Sequence, residues 1–179
     1  MNKKLRLLTD LIAVAVLVAI DQLTKAYAVN SLKNGTPVIL IKGVLQLYYL
    51  PNGNTGAAFG ILSGHRVLFL FIAAFVVGVI AYALIRIPDE KRFVILRVLL
   101  VFIAAGGIGN MIDRFMLGYV IDFIYFYLIN FPIFNVADCY VTVATVSVAL
   151  LILFRYKDED FRILEKELKF KKERDQGNE

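Results

Sequence analysis

The sequence predicts an all-α membrane protein: four transmembrane helices, joined by connections that form a small extracytoplasmic β-sheet and an interfacial helix. Three observations predict it. Of the 179 residues, 59% are hydrophobic and the mean hydropathy is +0.70, whereas a soluble domain is roughly half apolar. Charges make up 20% of the chain but are unevenly placed: eight of the twenty Lys and Arg follow residue 154, and none lies between Val67 and Ile85. Four stretches reach roughly the 20 apolar residues that cross hydrocarbon as a helix. The net charge of +5 fits cytosolic anchoring charges better than a nucleic-acid partner. A single Cys excludes an intrachain disulfide.

The first span covers about residues 7–28. Met1 to Arg6 and the following apolar run resemble a secretory leader, and Ala26-Tyr27-Ala28 mimics a cleavage site. Asp21 and Lys25 interrupt that pattern and three more spans follow, so an uncleaved helix is expected. The second span covers 67–85, the third 93–112 and the fourth 133–154.

Lys and Arg set the direction. Lys3, Lys4 and Arg6 precede the first span; Arg86, Lys91 and Arg92 join the second to the third, with Arg97 just inside; Arg155 opens a basic tail. The remaining connections are poorer in positive charge, so both termini face the cytoplasm and 29–66 and 113–133 lie outside. Asp21, Lys25, 106–114, Asn135 and Asp138 then all fall in the outer leaflet. One polar cavity wetted from outside would gather them there.

Segment 36–50 is rich in Val, Ile, Leu and Tyr and broken at Lys42-Gly43, which reads as two short strands on the membrane surface. Gly56-Ala57-Ala58 allows close backbone approach to a bound group, or forms a tight turn. Segment 115–133 carries seven aromatic rings, suited to an interfacial helix or an aromatic belt at headgroup depth. Within the tail after residue 154, residues 165–176 read as a solvated cytosolic helix.

Two acids stand out among apolar neighbours, Asp122 and Asp138. Pro132 lies between them, so one helix cannot bring them together. They meet only if the outer segment folds back over the bundle. Two carboxylates so close in low dielectric share a proton, which suits peptide hydrolysis: one activates water and the other donates to the scissile carbonyl. Intramembrane acids equally serve transporters as ion sites, and both readings stand on the residues alone. One His and one Cys leave too few ligands for a His/Cys metal site. His65 reads as interfacial and Cys139 as a packing residue. Gly106-Gly107-Ile108-Gly109-Asn110 lacks the Lys-Ser/Thr of a phosphate loop.

Five motifs then occur in order: Asp21-Gln22-Leu23-Thr24-Lys25, Asn54-Thr55-Gly56-Ala57-Ala58-Phe59, Gly106 to Arg114, Val120-Ile121-Asp122-Phe123 and Phe134-Asn135-Val136-Ala137-Asp138. Together they resemble the bacterial lipoprotein signal peptidase family, signal peptidase II, over about residues 7–155. Gly60 is a mild departure, standing where Ser is common. The resemblance implies an aspartic endopeptidase with a β-cradle at about 36–60. Its substrate would be a prolipoprotein with a lipobox and a diacylglyceryl Cys, cut just before that Cys.

Asp122 and Asp138 match the catalytic pair, and Asn54, Asn110, Arg114 and Asn135 match residues lining the site. Asp21 and Lys25, four apart on one helix face, match the first motif as structural support, with Gly106 and Asp113. No cofactor, metal or nucleic acid is implied. The protein is expected to be a monomer in the bacterial cytoplasmic (inner) membrane. Residues 1–155 form the peptidase domain, with 156–179 a charged cytoplasmic tail.

Overall fold

The computed structural model describes residues 2–56 and 65–168. Ala57, Ala58, Phe59 and Gly60, and the tail beyond residue 168, lie outside the described residues. Among the described residues, four helices are long and apolar enough to cross a membrane. Helix α1 runs Lys3–Leu32, α2 Arg66–Arg86, α3 Val94–Met116 and α4 Val136–Phe154, and a shorter α5 runs Asp158–Leu168. Three short strands, β1 (Val38–Ile41), β2 (Leu45–Leu47) and β3 (Ile124–Phe126), form one antiparallel sheet in the order β1-β2-β3.

Helix α3 is the hub, packing on α1, α2 and α4. Glycine within a helix costs roughly 0.5–1 kcal/mol relative to Ala, and α3 carries three in four positions. Close approach explains two of them. A Cβ on Gly106 would sit 2.5 Å from the Ala137 carbonyl oxygen of α4, and one on Gly109 2.5 Å from Asp21 Oδ2 of α1. Gly109→Ala is therefore expected to destabilise the bundle by about 1–3 kcal/mol. Thermal unfolding in detergent checks this, and a melting temperature equal to wild type would refute it.

Both ends of the bundle are locked by polar contacts. At the end away from the sheet, Arg97 of α3 pairs with Asp10 of α1 and donates to the Leu84 carbonyl. Arg6 donates to the Ile87 carbonyl and pairs with Asp89, and Arg92 pairs with Asp160 of α5. Helix α5 reaches only the first residues of the stretch 165–176 expected to be a solvated helix, most of which lies outside the described residues. Its Ile163 and Leu164 pack on Ile87, Phe93, Leu151 and Tyr156, because its apolar residues fall on one face.

At the other end, Ala28, Leu32, Tyr49, Ile121 and Phe123 form a buried cluster beneath the sheet. Ala28, the end of the cleavage-site mimic, is fully buried there, still within α1. The break at Lys42-Gly43 does separate β1 from β2, with Gly43 at a φ of +79°. The interfacial helix expected within 115–133 is not what forms. Helix α3 stops at Met116, and Leu117 and Gly118 return their N–H groups to the Asp113 and Arg114 carbonyls. Gly118 takes a φ of +90°, which favours glycine. The chain then reverses, and its Val, Ile, Phe and Tyr residues, good strand formers, pair with the open edge of β2 as β3. A single 3-10 turn, Tyr127–Ile129, follows.

Candidate active site

That reversal delivers Asp122. Its backbone is held on both sides: the Leu50 N–H donates to the Asp122 carbonyl, and the Phe123 N–H donates to the Phe134 carbonyl. Val120 and Asn54 exchange a pair of backbone bonds. Ile121 and Phe123 are buried with it, and Asp122 itself is 1% exposed.

Asp138 comes from the first turn of α4. Asn135 is the N-cap; its Oδ1 accepts the Asp138 N–H at 3.0 Å while Asp138 Oδ2 accepts the Asn135 N–H at 3.1 Å. This reciprocal box fixes the carboxylate relative to the helix start. The same Asn135 reaches the other acid, its Nδ2 donating to Asp122 Oδ1 at 2.6 Å. One residue thus meets both carboxyls, Asp122 through its side-chain amide and Asp138 through its backbone N–H. Asn54 Nδ2 donates to Asp122 Oδ2 at 2.9 Å, and Asn110 Nδ2 to Asp138 Oδ1 at 2.7 Å. All four carboxyl oxygens are met by amide donors.

Burial pushes the Asp122 carboxyl up, from 3.8 to about 7, and the neighbouring Asp138 charge adds to the rise. The Asn54 and Asn135 amides and the Lys25 charge act in the opposite sense.

Behind the pair lies a buried ionic cluster. Lys25 Nζ is 2.9 Å from Asp21 Oδ2, 2.9 Å from Asp113 Oδ2 and 3.0 Å from Asn110 Oδ1. The pairing of Asp21 with Lys25 agrees with their spacing. Asp113, expected as structural support, points inward and is 2% exposed. It faces α1 on the inner side of α3, where a charge requires a partner. Its Oδ2 also accepts the Ile121 N–H, so the cluster anchors the segment that carries Asp122.

Gln22 is a participant that sequence reasoning missed, donating to Asp21, Asp113 and the Gly109 carbonyl. Its signal was its place in the polar run Asp21 to Lys25 near the outer end of the first span. Thr142 was missed as well, although it lies four residues after Asp138 on the same helix face.

Asp138, Asn110, Arg114 and Thr142 separate two hollows. One, about 500 Å³, is also lined by Asn54, Val120, Phe134, Cys139 and Val143. The other, about 270 Å³, is walled by Phe69, Val76, Ile103, Gly107 and Val141 of the second, third and fourth helices. Arg114 stands over the Phe69 ring at 4.8 Å and donates to the Gly56 carbonyl at 3.0 Å, bracing the loop against α3. Asn54 and Asn110 place their side-chain amides on the two acids. The arrangement is a paired-acid centre at the junction of a sheet and a bundle, reached through apolar walls.

Comparison with known proteins agrees. The family model described as Signal peptidase (SPase) II matches residues 13–154. The lipoprotein signal peptidase of Streptococcus pyogenes serotype M5 (strain Manfredo) is 41% identical over 150 residues, covering 84% of this chain and 94% of the relative. That of serotype M3 (strain ATCC BAA-595 / MGAS315) is 40% identical over the same span. Two solved structures, described as a bacterial membrane enzyme obtained by the in meso method at 2.3 Å and 1.9 Å, superpose with TM-scores of 0.73 and 0.71. They are 30% and 31% identical and cover 84% and 83% of this chain, and 92% and 94% of their own.

Proposed function

Because the chain belongs to the signal peptidase II family, an aspartic peptidase family that processes lipoproteins in bacterial membranes, we propose that Asp122 and Asp138 are its catalytic pair. The observation that carries the assignment is their shared contact with Asn135, with Asp138 on the wall of a largely apolar cavity. The ionised member removes a proton from water, and the oxygen attacks the scissile carbonyl carbon. The protonated member donates to the carbonyl oxygen. Collapse of the tetrahedral species breaks the C–N bond, and the amine leaves with a proton from the pair. The donors on the carboxyl oxygens orient the acids for this exchange. The transporter reading has no support.

The substrate proposed is a prolipoprotein with a diacylglyceryl Cys, cut just before that Cys, with signal helix and acyl chains against the walls of α2, α3 and α4. Residues 1–155 carry the activity as a monomer. The site faces the extracytoplasmic side and both termini the cytoplasm, as the Lys and Arg distribution argues. The family match ends at residue 154, so 156–179 is an appendage on the cytoplasmic face.

The test is cleavage, by purified protein in detergent, of a precursor with and without the lipid. Mass spectrometry is expected to find a product beginning at the lipidated Cys, from the lipidated precursor alone. No cut, or a cut elsewhere, would overturn the proposal.

The rate is also expected to depend on pH with a definite sign. As pH rises through about 7, Asp122 loses its proton, both acids become ionised and kcat/KM falls. As pH falls, the second acid gains a proton and the rate falls again. The pH profile of kcat/KM checks this. A rate still rising well above neutrality would contradict it.

A further inference from the structure

The ionic cluster behind the acids does more than hold α1 against α3. We propose that Lys25 is a positioning residue for the acid pair, acting through the side-chain amide of Asn110. The proposal rests on the assignment of Asp122 and Asp138 as catalytic.

A lysine ammonium has three donors and no acceptor. Here they go to Asp21, Asp113 and Asn110 Oδ1, so none is left over. The third determines how the Asn110 amide is turned. With its oxygen on Lys25, its nitrogen must face Asp138, and it does, at 2.7 Å. Turned over, the amide would set N–H groups against the ammonium and against Asn135 Nδ2, and an oxygen against the Asp138 carboxylate.

Asn110 Oδ1 also accepts from Asn135 Nδ2 at 3.1 Å, the group that binds Asp122. One oriented amide therefore sets a donor on Asp138 directly and steadies the donor on Asp122. Lys25 touches neither acid and is 1% exposed. The groups facing the pair are Asp21 and Lys25 from α1, Asn54 from the loop after β2, and Asn110, Asp113 and Arg114 from α3. Asn135 and Cys139 face it at the start of α4.

Removing Lys25 alone strands two buried carboxylates, so the test uses two neutralised double variants. Lys25→Gln/Asp113→Asn keeps a donor for Asn110; Lys25→Met/Asp113→Asn does not. Charge change and approximate size are the same in both. Rates are normalised to folded protein. We expect kcat of the Met variant to be about 30-fold below that of the Gln variant, with KM within about threefold. Equal kcat in the two would overturn the proposal.

Should either fail to fold, Asn110→Asp gives the decision. It keeps an acceptor for Lys25 but turns an acceptor towards Asp138. A loss in kcat of about 100-fold at neutral pH is expected, partly relieved at lower pH, where the new carboxyl regains a proton to donate. A wild-type rate at neutral pH, or a loss that lower pH does not relieve, would overturn it. An active Asp138→Asn enzyme would remove the premise. An inactive one beside unaffected Lys25 and Asn110 variants would reject only the positioning role.

Discussion

Replacing either Asp122 or Asp138 by Asn is expected to lower turnover of a lipidated precursor by about three orders of magnitude or more, with the fold intact. Each acid must be able both to hold and to release a proton during the cycle, and an amide does neither. The loss should appear in kcat, because the apolar walls that receive the substrate belong to other residues. Folding should survive for a physical reason. Asn is isosteric with Asp, and at position 122 it removes a charge that burial disfavours. Cleavage followed by gel shift, with melting curves on the same samples, makes the measurement. Near-wild-type turnover by either variant would remove the aspartic mechanism from these two residues.

The largest effect on stability is expected at Lys25. Lys25→Met would leave Asp21 and Asp113, 0% and 2% exposed, without their counter-charge. Breaking one side of a buried ion pair costs about 3–5 kcal/mol. The remaining donors, from Gln22 and the Ala137 and Ile121 N–H groups, are neutral and offset only part of this. Adding Asp113→Asn should recover much of the loss, since it removes one of the two stranded charges, and the departure from additivity measures the coupling. Thermal unfolding of single and double variants reads this out. A single variant as stable as wild type would mean that the ionic cluster contributes nothing to the fold.

Much of this architecture was legible because hydrocarbon imposes simple rules. Apolar length predicted four helices, and each formed within a few residues of its expected bounds. The start of α4 moved from 133 to 136 because Asn135 caps it. The spacing of Asp21 and Lys25 predicted their ion pair. What stayed illegible was long-range. Nothing in the residues around Asp113 tells that it turns towards α1, or that Lys25 reaches Asn110, 85 positions away. The strand after Gly118 was hidden by its aromatic content, which suits a headgroup-layer helix as well as a sheet. The open edge of β2, itself built far away in sequence, decided between them.

The reciprocal box between Asn135 and Asp138 has a consequence for how such an enzyme changes over time. The residues that cap the last spanning helix are also those that hold the proposed catalytic acids in place. Adaptation to a new precursor therefore has little freedom at these two positions: a side chain at 138 that cannot accept the Asn135 N–H loosens the helix start as well as changing the chemistry. Divergence must go to the rim of the two hollows, at Thr142, Val143 or Phe69, where a swap reshapes the entrance and leaves the acids alone.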